Sequence, residues 1–335
     1  MERKLPIDSI RNGSGSAEIG SSEDGAIMEM LPIGNRLLVI KERSVYEFRL
    51  ADDIDPQREN PDVPLTSQRL LVNLGTESEM FSRTFLTAKR LFKAGYLPSI
   101  IDIPKLLLLT LEIVQEMAVL DKELEDYLNQ EKKVSGDYED RKRKKLDHAV
   151  PSIPDVKTRC KTIFQKSDHV LQLQLRLIRN FYPDFSMKSY YDKLIEFIEN
   201  RHGDQDGFTL FLKQIHPFIL LVRNVRNCLD HLRIETKITD FELEKSTNIL
   251  APTIEVEYNG SKLERTSLSA FLIQLPINLI EIFENMIAYL CSKNVIRDRI
   301  LNGQVLLIPE EKRINKNIKF AYWLPIGEGG FYQQI

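Results

Sequence analysis

The chain has 335 residues, of which 42% are hydrophobic and 28% charged, so it can bury a core and is not an intrinsically disordered chain. Its net charge of −3 excludes a strongly basic protein that coats nucleic acid, although it is compatible with a local basic site. Three widely spaced cysteines without metal-ligand spacing, and a polar N-terminus without an apolar signal segment, favour a cytoplasmic protein with reduced thiols.

The first part of the chain predicts a flexible tail followed by a small folded unit. Residues 1–25 are rich in Gly, Ser and charged side chains, which is typical of a tail. Two apolar runs, Arg36–Ile40 and Ser44–Leu50, are joined by three charged residues, and the second run alternates apolar and polar side chains, which predicts a β-hairpin. Apolar residues on one face predict a helix over Glu77–Phe92. We therefore expect a small α+β N-terminal domain over residues 26–98.

From residue 99 onward the pattern is mainly helical, and residues 99–295 are expected to form one helical domain. The predicted helices cover residues 105–130, 155–181, 187–201, 208–233 and 269–292. A charged connector over residues 131–153 separates the first two helices. A β-hairpin over residues 253–266 precedes the last helix, because Asn259-Gly260 favours the positive φ angles of a type I′ turn. Residues 296–335 are expected to form an extended C-terminal segment that packs on the core.

The helix over residues 208–233 combines a strongly apolar face with a polar face. At about 100° per residue, the polar residues fall opposite the apolar ones. These polar residues are Arg223, Asn224, Arg226, Asn227, Asp230 and His231. Because residues four apart are neighbours on a helix, Asp230 is expected to hold Arg226, and Asn227 is expected to orient the ring of His231. The pattern thus predicts a polar site on a helix whose other side is buried.

The residue types of this site suit the cleavage of a phosphodiester. The guanidinium of Arg226 can meet phosphate oxygens with a planar fork and stabilise the charge that develops on them. An imidazole such as that of His231 can take or give a proton near neutral pH. RNA carries its own nucleophile, the 2′-OH, so no metal and no cofactor is expected. The same spacing at Arg143–His148 lies in the charged connector without an apolar face and is interpreted as solvated linker.

The segment Arg226-Asn227-Cys228-Leu229-Asp230-His231 resembles the signature of the HEPN superfamily, which is an arginine, a polar residue that is often asparagine, three further residues and a histidine. The resemblance covers about residues 104–292. It implies a mainly α fold, here a HEPN-like helical bundle with a small α+β N-terminal domain and a β-hairpin insertion.

The same resemblance implies a metal-independent endoribonuclease that acts as a toxin or phage-defence effector. Two copies would form a homodimer in which both motifs face one cleft, and cleavage would leave a 2′,3′-cyclic phosphate. Arg226 would bind the scissile phosphate, His231 would be the acid/base group and Asn227 would order the site. Supporting roles would fall to Asp230, Arg223 and Asn224.

Two other interpretations remain open. The polar face is also compatible with a solvated helix surface that carries only internal ion pairs. It is equally compatible with a non-catalytic HEPN-like module that binds a nucleotide or a protein. A neutralising or regulatory protein partner is compatible with the toxin interpretation. No membrane association is expected, because the most apolar segment, Ile100–Leu120, is interrupted by a proline and several charged residues.

Overall fold

The computed structural model describes residues 6–13, 15–144, 149–186, 190–231, 233–245, 248–296, 303–326 and 330–334. The chain divides into two compact units. One consists of Met1–Gln115 and Ile296–Ile335, and the other consists of Glu116–Val295. The second Arg-to-His spacing ends at His148, which lies outside the described residues.

The N-terminal part of the first unit is built on a four-stranded antiparallel sheet. Its strands are β1 (Ile27–Ile33), β2 (Arg36–Lys41), β3 (Val45–Leu50) and β4 (Thr66–Val72), and they pair in that order. Its helices are α1 (Pro6–Arg11), α2 (Ala51–Ile54), α3 (Glu79–Phe81) and α4 (Thr87–Leu91), with a π-helical turn at Ser82–Leu86 between the last two. Leu38, Val39 and Ile40 of β2 are fully buried, as expected of an inner strand with an apolar run. The predicted β2–β3 hairpin is confirmed.

The second unit contains the long helices. They are α5 (Ile103–Arg143), which begins in the first unit, α6 (Val156–Phe181), α7 (Tyr191–His202), α8 (Gly207–Asp230) and α9 (Leu268–Lys293). Helix α8 begins after Asp206, whose carboxylate accepts a hydrogen bond from the N–H of Phe208 at 3.0 Å and so caps the helix. Its buried face packs on α6 and α7.

Short strands complete the second unit. They are β5 (Thr236–Thr239), β6 (Glu242–Leu243), β7 (Ile249–Leu250), β8 (Thr253–Tyr258) and β9 (Ser261–Ser267). Strands β5, β8 and β9 form one antiparallel sheet in that order, and β6 pairs with β7. The turn between β8 and β9 has φ angles of 45° at Asn259 and 82° at Gly260. This left-handed backbone is what the Asn-Gly pair predicted, so the hairpin prediction is confirmed.

The C-terminal part of the first unit is a three-stranded antiparallel sheet. Its strands are β10 (Gln304–Leu307), β11 (Phe320–Leu324) and β12 (Phe331–Gln333). The hydroxyl of Tyr322 on β11 is buried and donates to the carbonyl of Leu91 at 2.8 Å. This long-range bond ties the C-terminal sheet to the end of α4 within the same unit.

The predicted fold class, a mainly α HEPN-like helical bundle, is wrong. Of the described residues, about 51% are helical and 19% lie in strands that form four small sheets, so the fold is mixed α/β. The periodicity did not predict strands such as β4, β5 and β6, because they are short or polar and do not alternate clearly between apolar and polar residues.

The charged connector also differs from the prediction, because α5 continues through Arg143. Residues 131–143 are rich in Glu, Lys and Arg, which have high helix propensity and form acid–base pairs along a helix. One such pair joins Arg143 to Asp140 at 3.8 Å. The absence of an apolar stripe had suggested a linker, although a solvated helix end needs no such stripe.

Helix α9 alone among the helices of the described residues is long and apolar enough to cross a membrane by length and composition. However, 56% of its most apolar window is buried inside the chain. This burial is typical of the core helix of a soluble protein, where the same apolar side chains face protein rather than lipid.

Candidate functional site

The polar residues predicted from the sequence lie where α8 packs against α6. Gln165 and Asp168 of α6 contact Asp230 and Arg226 of α8 respectively, so the two helices run in opposite directions at this place. The apolar side of α8 is buried, including Val222, Val225 and Cys228. Burial of that side leaves Arg223, Arg226, Asn227 and Asp230 partly exposed along the line of contact.

Arg226 is held in place by carboxylates on both helices. Its Nε lies 3.1 Å from Asp230 Oδ2, four residues along α8, and 3.8 Å from Asp168 Oδ2. These are ion-pair distances, although Nε–H is not aligned for a hydrogen bond with either oxygen. The structure thus contains the Arg226–Asp230 pair that the spacing predicted. Nη1 donates to Asn227 Oδ1 at 2.9 Å, and the described contacts leave Nη2 of Arg226 without a partner.

Asp230 connects Arg226 to further residues of α6. Its Oδ1 accepts a hydrogen bond from Gln165 Nε2 at 2.8 Å and lies 3.2 Å from Lys161 Nζ. Partial burial raises the pKa of Asp230, but the hydrogen bonds from Lys161 and Gln165 and the charge of Arg226 outweigh it and bring the pKa below its ordinary value. The carboxylate is therefore ionised at neutral pH and can position Arg226 there.

Asp168 is a member of the site that the sequence reasoning missed. It is a nearly buried carboxylate, with 3% of its side chain exposed, and it accepts hydrogen bonds from Tyr190 Oη at 2.9 Å and Gln172 Nε2 at 2.6 Å. Burial and the neighbouring negative charge of Asp168 raise the pKa of Tyr190, so the phenol stays protonated and donates. The available signal was an aspartate among the apolar, buried positions of α6, since a buried aspartate needs partners.

Arg223 lies over an aromatic ring on one side of this cluster. Its Cζ is 3.9 Å from the centre of the Tyr190 ring, a cation–π contact. Together with Arg176, Arg179 and Arg226, it lines a cavity of about 380 Å³ between α6 and α8. The carboxylate in this lining is that of Asp168. The two arginines of α6 also escaped the sequence reasoning, because nothing in the order of residues shows which side of α6 faces α8.

Asn224 does not belong to the polar site. Its side chain is buried and donates to the carbonyls of Tyr258 and Asn259 at 3.1 and 3.2 Å, and to Ser261 Oγ at 2.9 Å. The residue therefore binds the β8–β9 turn to α8. Helical periodicity placed Asn224 on the polar face of α8, but it cannot predict the long-range contact that removes the residue from the site.

His231 is exposed and immediately follows α8. Its main-chain N–H donates to the carbonyl of Asn227 at 3.1 Å, but the described contacts do not join the side chain of Asn227 to the imidazole. Asn227 Oδ1 accepts from Arg226 instead. The described lining of the arginine cavity does not include His231. The imidazole of His231 is thus exposed to solvent, and the described contacts of the chain do not hold its ring in one orientation.

A second cavity lies on the other side of Asp230, beside the end of α8. It measures about 970 Å³ and is lined by residues of α6, of the C-terminal end of α8 and of β5. Its cationic lining residues are Lys157, Lys161, Arg233 and Lys237. The surface along α6 therefore carries positive side chains on both sides of the Arg226–Asp230 pair, although the whole chain is slightly acidic.

Groups of three or more His, Cys, Asp or Glu side chains that could hold a metal ion do not occur among the described residues. Comparisons of the chain with protein-family models, with curated proteins and with solved structures found no match. The resemblance to the HEPN superfamily therefore rests on the motif at residues 226–231 alone.

Proposed function

We propose that this chain is a cytoplasmic, metal-independent endoribonuclease that acts as a toxin or phage-defence effector. The observation that carries the proposal is the combination of an exposed imidazole at His231 with a guanidinium at Arg226 that two carboxylates hold in place. One group can move a proton and the other can bind a phosphate, which are the two capacities that RNA cleavage by its own 2′-OH requires.

The proposed reaction begins when the imidazole of His231 removes the proton of the ribose 2′-OH. The 2′-oxygen attacks the phosphorus, the bond from phosphorus to the 5′-oxygen breaks, and the imidazolium of His231 gives its proton to that leaving oxygen. The products are a 2′,3′-cyclic phosphate and a 5′-hydroxyl. Nη2 of Arg226, which has no partner among the described contacts, is available to the phosphate oxygens as negative charge develops on them.

A second candidate function is the binding of a phosphorylated ligand without cleavage. The observation that favours it is that four arginines line a cavity whose described lining lacks His231. Such a cavity can recognise a nucleotide without a proton-transferring group.

The first prediction separates these two functions. Purified protein incubated with 5′-labelled single-stranded RNA in EDTA is expected to cleave it, and His231→Ala is expected to lower the rate by roughly 10²- to 10⁴-fold, because a general acid–base group is lost. His169→Ala is the matched control. His169 is also an exposed histidine, and its imidazole lies 3.7 Å from Glu116 of α5. It does not belong to the described lining of the arginine cavity, so its loss should not change the rate.

Cleavage should also stop when the ribose at the scissile position lacks its 2′-OH. Equal cleavage by the wild-type and His231→Ala proteins would remove the imidazole from the mechanism. RNA binding without turnover by the wild-type protein would favour the second candidate function.

A further inference from the structure

The cavity between α6 and α8 concentrates positive charge beside Arg226. Four arginines, Arg176, Arg179, Arg223 and Arg226, line it together with the single carboxylate of Asp168. The negative charge of Asp168 is already shared, because its side chain accepts two hydrogen bonds and lies within ion-pair distance of Arg226. Arg176 and Arg223 therefore add positive charge to the cavity that the carboxylate of Asp168 does not balance.

Aromatic rings lie under two of the arginines that face this space. The guanidinium of Arg223 lies over the ring of Tyr190, and that of Arg179 lies with its Cζ 5.7 Å from the ring centre of Phe185. Arg176 is exposed, and neither Arg176 nor Arg223 has an ion pair with a carboxylate among the described residues. Burial lowers the pKa of Arg179, and the nearby positive charge of Arg176 lowers it further by repulsion. An anion between them would relieve that repulsion.

The place and size of the cavity indicate which anion fits. Asp168, which lies beside Arg226, is eight residues or about 12 Å along α6 from Arg176. Arg176 can therefore contact a different phosphate from the one that binds at Arg226. A space of about 380 Å³ lies within the usual range of small-molecule sites, roughly 300–1,000 Å³. Planar guanidinium groups match the geometry of phosphate oxygens better than any other side chain.

We propose that this arginine cavity, formed by Arg176, Arg179 and Arg223 beside Arg226, binds a backbone phosphate of single-stranded RNA next to the phosphate that is cleaved. This inference rests on the proposed function and extends it, because it assigns a substrate-binding site outside the 226–231 motif. The phosphate of a free nucleotide has the same chemistry, so the experiment must distinguish the two sources.

The test measures RNA binding in the His231→Ala background, in which the RNA stays intact. Fluorescence anisotropy with a labelled 12-nucleotide single-stranded RNA gives Kd at several salt concentrations. The variants are Arg176→Ala, Arg223→Ala and the double substitution, and Lys193→Ala is the control because this exposed lysine lies on α7 and pairs with Glu196. Circular dichroism confirms that each variant is folded. Arg176 is exposed, so its replacement should not disturb the core.

We expect the double variant to bind RNA roughly 10- to 100-fold more weakly, while Lys193→Ala binds normally. The slope of log K against log salt should fall by about 0.7 for each phosphate contact that is lost, the value for single strands. Unchanged binding and slope in the double variant would overturn the inference. Displacement of the RNA by a nucleoside monophosphate with the affinity of the oligonucleotide would also overturn it, in favour of a free nucleotide.

Cleavage by the chain with His231 intact is measured separately, so the two proposals can fail independently. Loss of binding in the double variant, in a protein that does not cleave RNA, would support the cavity and refute the ribonuclease. Cleavage by a protein whose double variant binds normally would support the ribonuclease and refute the cavity.

Discussion

Asp230 shows how one residue joins two helices at the candidate site. It lies one turn beyond Arg226 on α8 and also binds Gln165 and Lys161 of α6. Its lowered pKa has a direct consequence for stability, because the folded chain binds the proton less tightly than the unfolded chain does. The contribution is therefore fully present above the ordinary pKa of 3.8 and is lost as the pH falls through the lower pKa of the folded state.

Asp230→Asn is accordingly expected to lower the free energy of unfolding at neutral pH by roughly 1 kcal/mol, since a charged hydrogen-bond acceptor is replaced by a neutral one. The difference from the wild type should shrink as the pH falls below about 4, where the native carboxylate takes up its proton. Chemical denaturation at several pH values measures both effects. Asp155→Asn is the control, because Asp155 pairs with Arg159 at the same spacing on an exposed surface and should matter little. A difference between wild type and Asp230→Asn that stays constant with pH would contradict this explanation.

At the scale of elements, the β8–β9 hairpin and α8 are joined through Asn224. The turn needs two residues with positive φ, which Asn259 and Gly260 provide, and its carbonyls then point at the buried amide of Asn224. The hairpin thus forms from local preference, while the buried amide of Asn224 helps to fix its position on α8.

Asn224→Ala should therefore lower the free energy of unfolding by about 1–3 kcal/mol, because the acceptors in the turn lose a buried donor. Chemical denaturation monitored by circular dichroism measures the loss. Asn285→Ala serves as the control, because within the described part of the chain the Asn285 amide donates only to the carbonyl of Glu281, on its own helix and at an exposed position. RNA cleavage by folded Asn224→Ala should persist. A large loss of activity without a loss of stability would instead give Asn224 a role in the reaction.

At the scale of the whole molecule, the HEPN resemblance implies that two copies combine their motifs, and the position of His231 is compatible with this. The imidazole is exposed at the end of α8, outside the described lining of the cavity that contains Arg226. A partner copy can therefore approach it.

We expect light scattering to give twice the mass of one chain, and specific activity to fall when the protein is diluted below its dimer dissociation constant. Mixing Arg226→Ala and His231→Ala chains provides a further check, since a shared cleft would contain one intact copy of each group. A monomer that retains full specific activity on dilution would rule out the shared cleft.

Local interactions explain what the sequence determined by itself. The Asn-Gly turn, the N-terminal hairpin and the amphipathic α8 all follow from preferences of neighbouring residues or from residues one helical turn apart. The Arg226–Asp230 pair belongs to the same class. Fold class was predicted less well, because short polar strands such as β5 become strands only when a partner strand supplies hydrogen bonds.

Packing between distant segments decided the rest. Asp168 and Arg176 join the site only because α6 lies against α8, and Tyr190 joins it because the start of α7 lies beside both helices. Asn224 leaves the site because the β8–β9 turn reaches the buried side of the helix. Helical periodicity shows which residues share one face of one helix, but it carries no information about which other segment that face will meet. The motif was therefore readable in the sequence, whereas the arginine cavity beside it exists only in the folded chain.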